Sequence, residues 1–333
     1  MSGPRLFVHG IGVVSPAGWG LGGFREVWDG RRSLVAVPLP HPDGRPRAVF
    51  RVPPPAVRPP WALHPRMRRA SAISQFALGA ALEALGDGDA PRAHPGLAIL
   101  MGVMGGGVNY SQRFFGEVLA QPATASPMLF PETVFNAPAS HLGAVLGTRA
   151  RNDTYVSDPS GMITALAAAA GWLADGIADA CLVAACEEAD WTTAGAVGHF
   201  PRPATPSEGA AALVLRREPG PVELIAVSSS FPRTRGHDRS RDVEAVLREL
   251  GADPGNPDDL DPRVVVAGLP GAAGCVEARL GDGLAATGGW ACVAAIDALL
   301  RGTARSSVAL LAGGNFQTVG CAFRAVPEFL PPR

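Results

Sequence analysis

The sequence predicts a layered α/β protein built from two similar halves. Short buried-strand runs alternate with helical runs along the 333 residues. Several strands, such as those within "GLAILMGVMGGG" and "RVVVAGL", are near-continuous apolar runs, the pattern of sheets covered on both faces. Each half also holds a buried strand, a turn, an Ala-rich helix and a further buried strand. That recurrence predicts an internal duplication, with halves at 1–215 and 216–333 packed as one compact unit.

The elements follow in order. "RLFVHGIGVVSPAG" reads as a strand and a Gly/Ser/Pro turn, and "GGFREVWDG" as a short amphipathic helix ended by Gly30. Residues 36–66 read as an irregular surface excursion. "RRASAISQFALGAALEAL" has apolar residues at helical spacing, at Ile73, Phe76, Ala77, Ala80, Ala81 and Ala84. "NYSQRFFGEVLAQ" is a helix, and another begins near Ala137. "DTYVSDPSGMITALAAAAGWLADGIADACLVAACEEAD" gives strand, elbow, long helix and buried strand. "EGAAALVLRRE" and "PVELIAVSSSF" read as adjacent strands. "RSRDVEAVLRELG" is an amphipathic helix and "ADPGNPDDLDP" a polar loop. After "RVVVAGL", a second Ala-rich helix, "LAATGGWACVAAIDALLRG", leads to the strands "SSVALLAGG" and "GCAFRAV".

Composition removes several functions. The net charge is −1, with 47% hydrophobic and 18% charged residues, so a globally basic nucleic-acid binder is excluded. The 29 Lys+Arg residues are all Arg, so neither a Schiff base nor a lysine general base can form. The 5 cysteines, Cys181, Cys186, Cys275, Cys292 and Cys321, form no CxxC pair and read as buried apolar residues of a reducing cytoplasm. No secretory leader is expected from "MSGPRLFVHGIGVV", and "ITALAAAAGWLA" is too short to span a membrane.

Three motif readings fail on their residues. "HGIGVVS" lacks the third glycine of a dinucleotide fingerprint, because Ser15 stands there. A hydrolase elbow needs glycines two residues either side of its serine, but Ser160 has Asp158 and Met162. Of the histidines that such a serine would need, only His141 and His199 fall near it in fold order, and neither sits in a motif. "CEEAD" and "PDDLD" are rich in carboxylates but lack clustered His or Cys, so they read as solvated loops. No metal and no cofactor is expected.

Several segments together resemble the ketosynthase family of the thiolase fold. "VHGIGVVSPAGWG" is similar to the family's opening strand and turn, and "GGFREVWDGRRSL" to the helix that follows. "SPMLFPETVFNAPASHLGAVLG" resembles the loop before the nucleophile. "VSDPSGMITAL" resembles the nucleophile elbow, and "SEGAAALVL" the family's E-G-A element. The resemblance covers most of the chain and implies a thiolase-like α-β-α-β-α sandwich. It also implies where the family's chemistry should sit. The cysteine that takes the acyl chain is replaced by Asp158. The second histidine and its supporting lysine correspond, in "EARLGD", to Asp282 and Glu277. The first histidine corresponds to Gly268. No histidine follows His237. A conventional condensing site therefore cannot be assembled from this chain.

One branch of the family fits that state. Chain-length factors of type II polyketide synthases keep the fold, lose the cysteine, and pair with an active ketosynthase. The resemblance implies such a subunit, cytoplasmic and inactive alone, which shapes the acyl tunnel of a heterodimer serving an acyl carrier protein. The compact length is similar to partners in systems making reduced or polyene chains. "NYSQRFFGEVLA" resembles the helix that closes the tunnel, with Tyr110, Phe114 and Val118 on one face at a spacing of four and Phe135 nearby. Asn136, Ala137, Pro138, Ser157 and Ser160 are the expected interface. Two alternatives stay open: an enzyme of this fold with decarboxylase or cyclisation-type chemistry at Asp158 or Asp282, and a scaffold that binds carrier protein without shaping a tunnel. No nucleic acid or membrane partner is expected.

Overall fold

The structure is a computed structural model that describes residues 4–199, 204–232, 239–251, 262–267, 274–312 and 317–330. Its first half comprises β1 (Leu6–Ser15), β2 (Gly18–Trp19), α1 (Leu21–Trp28), β3 (Val37–Leu39), β4 (Arg47–Val49), α2 (Ala72–Leu85), β5 (Leu97–Val103), α3 (Val108–Ala120), α4 (Ala137–Val145), β6 (Asn152–Val156), α5 (Gly161–Ala174), β7 (Ala180–Glu187), α6 (Trp191–Val197) and β8 (Gly209–Arg216). The second comprises β9 (Val222–Val227), β10 (Phe231–Pro232), α7 (Arg239–Glu249), β11 (Pro262–Ala267), α8 (Glu277–Leu280), α9 (Ala285–Leu300), β12 (Ser306–Ala312) and β13 (Gln317–Ala325).

The predicted duplication is visible in the pairing. In the first half β1 is antiparallel to β8, β8 antiparallel to β7, β7 parallel to β5, and β5 parallel to β6. In the second, β9 is antiparallel to β13, β13 antiparallel to β12, and β12 parallel to β11. A parallel bridge from Val266 to Cys275 takes the fifth place.

Side-chain alternation along each strand feeds two different layers. Leu182, Ala184 and Cys186 of β7 join α2 and α4 in an outer core, while Cys181, Val183 and Ala185 face a central one. The central core holds α5 and α9 together with the inward residues of β12 and β13. A third cluster packs α7 on the far face of β12 and β13. The layers are thus α-β-α-β-α. All 5 cysteines are buried and unpaired, as expected. Among the described residues no helix is long and apolar enough to cross a membrane.

Two expectations need correction. β8 and β9 are not neighbours, because β1 lies between them. Phe7 pairs with Arg216 on one side and with Glu223 on the other. Residues 217–221 carry the chain straight across β1, where a hairpin would have reversed it. Residues 36–66 are not wholly irregular either. They contain the β3–β4 hairpin and a buried Trp61, whose ring lies 5.9 Å from that of Trp19.

The central layer depends on missing side chains. A Cβ on Gly288 of α9 would stand 1.9 Å from the carbonyl oxygen of Pro159, and one on Gly289 would stand 2.7 Å from Ala211 Cβ. Only glycine lets α9 lie directly on the elbow. Gly288→Ala should therefore destabilise the fold by about 2–3 kcal/mol through overpacking, read as a lower denaturation midpoint; an unchanged midpoint would show that α9 can retreat at no cost.

Candidate functional site at the elbow

β6 makes its last ladder bond through Ser157, whose N–H donates to Val103 O at 2.9 Å. The chain then turns sharply, closed by the Gly161 N–H donating to Asp158 O at 2.8 Å, and α5 begins. Glycines permit the tight course. A Cβ on Gly102 would stand 2.9 Å from the Gly161 carbonyl carbon, so β5 passes right under the turn.

Asp158 points inward and is 3% exposed. Its Oδ1 accepts from the Ser160 N–H at 3.0 Å and from the Ser160 hydroxyl at 2.5 Å. Its Oδ2 is buried without a hydrogen-bond partner among the described residues. Ser160 is fully buried, and its Oγ also lies 2.6 Å from Gln317 Nε2 and 3.1 Å from Ser157 Oγ. Gln317 accepts in turn from the Ser230 hydroxyl. The hydroxyl is therefore a buried link between the two halves and is not presented as a nucleophile.

Asp282 faces the elbow from the other half. Its Oδ1 accepts from the Leu284 N–H at 2.9 Å, and the Thr287 side chain also bonds it. Burial holds its carboxyl above the ordinary range, and the charge of Asp158 pushes the same way. Leu284 has φ 52°, the only positive value at a non-glycine position among the described residues. Such strain persists only where the surroundings impose it. Glu277 lies at the start of α8, where the Cys275 thiol donates to it at 3.1 Å. Burial first, then Glu277, pushes that thiol up to about 11. Gly268 lies outside the described residues. Two of the sequence-predicted positions, Asp158 and Asp282, thus meet across the seam, with no imidazole bonded to either among the described residues.

The remaining histidine candidates are elsewhere. His141 Nε2 lies 2.6 Å from Glu132 Oε1, and His199 is exposed beyond α6. "CEEAD" is not a solvated loop: Glu187, Glu188 and Asp190 are each at most 2% exposed. They are acceptors for orphan backbone donors. Glu187 takes the Met104 and Gly105 N–H groups and reaches that of Ala285 at the start of α9. Glu188 takes those of Ile73 and Asn109, and Asp190 caps α6. "PDDLD" lies outside the described residues.

Three of the four expected tunnel residues, Tyr110, Phe114 and Val118, sit along α3, a helix with no fully buried residue. The Tyr110 hydroxyl donates to Arg69 O at 2.5 Å, and the Phe114 ring lies 5.8 Å from that of Phe130. Val118 is half-buried, and Phe135 is 45% exposed above Gly106. Of the expected interface residues, Asn136 is exposed and Ser157 half-buried, while Ala137, Pro138 and Ser160 are buried within the chain. Sequence reasoning missed Phe115 and Leu119, which are 64% and 77% exposed. They repeat the same spacing of four on the adjacent stripe. With Met128, Phe130, Val134 and Val156 they place exposed apolar side chains on α3, the loop before α4 and the end of β6.

No family model matches the sequence, and no curated protein matches it. Solved structures do. "The ishigamide ketosynthase/chain length factor" superposes with a TM-score of 0.80 at 19% identity, covering 97% of this chain and 99% of that one. The chain has the ketosynthase fold. A type II polyketide synthase acyl-carrier protein in complex with its ketosynthase gives 0.75 at 14% identity, covering 98% and 100%. A ketosynthase in complex with its chain length factor from Xenorhabdus doucetiae gives 0.72 at 14% identity, covering 97% and 98%. In this chain the elbow at the end of β6 and the turn before α9 lie close enough for the charge of Asp158 to act on Asp282.

Glu187 gives the site a measurable pH signature. Burial raises its carboxyl from the ordinary 4.5 to about 8, against the pull of its N–H donors. The folded state then holds a proton that the unfolded state releases, so this contribution is fully present below the ordinary value and lost as pH rises towards 8. Glu187→Gln should make the fall in stability between about pH 5 and 8 shallower. Denaturant titrations at several pH values check this; parallel curves for the two proteins would refute it.

Proposed function

We propose that the chain is a noncatalytic chain-length factor, with halves 1–215 and 216–333, that pairs with an active ketosynthase and shapes its acyl tunnel in type II polyketide synthesis. The observation that carries this reading is Asp158, a buried carboxylate where the family needs a thiolate, on a turn otherwise kept intact. A carboxylate cannot hold an acyl chain in thioester exchange, so the condensing step falls to the partner. The exposed apolar residues of α3, of the loop before α4 and of the end of β6 supply a surface beside that turn. Exposed apolar area on this scale marks association.

The carrier protein and its tethered chain would be met through the complex. Arg58, Arg66, Arg68 and Arg69 are exposed in a stretch without a single acidic residue between Asp43 and Glu83, which suits an acidic partner. A cytoplasmic location and a reduced or polyene product complete the reading.

Co-expression with an intact ketosynthase tests it. The expected result is a soluble heterodimer in which Phe114→Ala or Tyr110→Ala lengthens the product while rate is largely kept. An unchanged product distribution would remove α3 from the tunnel. The facing pair Asp158 and Asp282, with the Asp282 carboxyl raised, favours one second reading, acid–base chemistry in the elbow. Turnover of acyl thioesters by the isolated chain, abolished in Asp158→Asn, would establish that reading in place of the first.

A further inference from the structure

The elbow lies at the start of α9. The other end of α9 opens on a separate groove, ~24 Å away at 1.5 Å per residue. This groove has a volume of about 1350 Å³ and lies among the start of β1, the starts of β9 and β12, the end of β13 and residues 326–330. Its walls carry Arg5, Arg301, Arg305 and Arg324 against two acids, Glu223 and Glu328.

The charges do not cancel locally. Glu223 is bonded by Arg5 at 2.5 Å and by Arg324 at 2.9 Å, and these guanidiniums hold its carboxyl down to about 2. One carboxylate between two guanidiniums leaves a positive charge at any physiological pH. Arg301 is satisfied from outside the groove by Asp29 at 3.0 Å and Asp297 at 3.7 Å. Arg305 is exposed and has no ion pair among the described residues. Glu328 adds the one acid that lies near Arg5 without a direct bond to it.

Beside these charges the groove is apolar. The Arg5 guanidinium stands over the Phe7 ring at 5.1 Å, and Phe329 leaves 49% of its surface open. An exposed aromatic ring beside the unpaired Arg305 and the net positive Arg5–Glu223–Arg324 cluster fits one kind of ligand, an anionic headgroup on an apolar body. The volume exceeds the ~300–1,000 Å³ of ordinary small-molecule pockets, so there is room for both parts.

We propose that this groove binds an amphipathic anion, a carboxylate or phosphate attached to an apolar chain, with Arg305 and Arg324 on the headgroup and Phe329 against the chain. The site lies at the opposite end of α9 from the elbow.

Calorimetry on the full chain with decanoate, decyl phosphate and decanol tests it. Both anions should bind at least ~10-fold more tightly than decanol, a charge-assisted difference. Arg305→Ala should weaken both anions ~10-fold and leave decanol unchanged. Arg305 is exposed, so its loss should not affect folding; Phe329→Ala, also at an exposed position, should weaken all three ligands. Tighter binding of decyl phosphate would assign a phosphate headgroup, and tighter binding of decanoate a carboxylate. Equal binding of decanol, or anion binding that survives Arg305→Ala unchanged, would overturn the proposal.

Discussion

The approach of α9 to the elbow organises this molecule. With Gly288 against the Pro159 carbonyl, the helix of one half becomes the floor beneath the turn of the other. That contact sets the thickness of the central layer. It brings Asp282, just before α9, opposite Asp158, just before α5. The polar links across the seam, from Ser160 to Gln317 and from Glu187 to the first N–H of α9, require the same closeness. A bulkier helix would separate the halves and leave each of those groups without its partner.

The chemistry at this seam is carboxylate chemistry held in place by backbone amides. Buried acids are costly unless donors surround them. Here Glu187, Glu188, Glu208 and Asp190 each take backbone N–H groups that the loops leave open. They serve as fasteners for irregular chain. Asp158 differs from them. One oxygen is held by Ser160 and the other has no hydrogen-bond partner among the described residues. That asymmetry sets it apart from the four fully bonded acids.

Much of this was legible in the sequence. Apolar runs in β5, β7 and β12 announced strands covered on both faces, and the two Ala-rich helices announced a packed middle layer. The elbow was readable because its strand, turn and helix are contiguous. What failed was non-local. Nothing in "CEEAD" shows that backbone donors 79 or more residues away will hold Glu187 and Glu188. Nothing near Ser160 points to Gln317, which is 157 positions further on. The placing of β1 between β8 and β9 was missed for the same reason. Short connections are read as neighbours, and only the assembled sheet shows the chain stepping across a third strand.

That step has a consequence for how the protein is made. Only the end of β1 has a nearby partner, in β2; its two long neighbours, β8 and β9, are synthesised after it, beyond residue 208, and its first residues hydrogen-bond on both edges. From Leu6 to Val13 the strand must wait without a sheet neighbour until about 200 further residues have followed. Loop closure over such distances is slow, and exposed strand edges are sticky in the interval. The two halves, similar as they are, are therefore stitched at the strand edge as well as at the layer between them: β9 of the second half supplies an edge to Leu6, Phe7 and Val8 of the first.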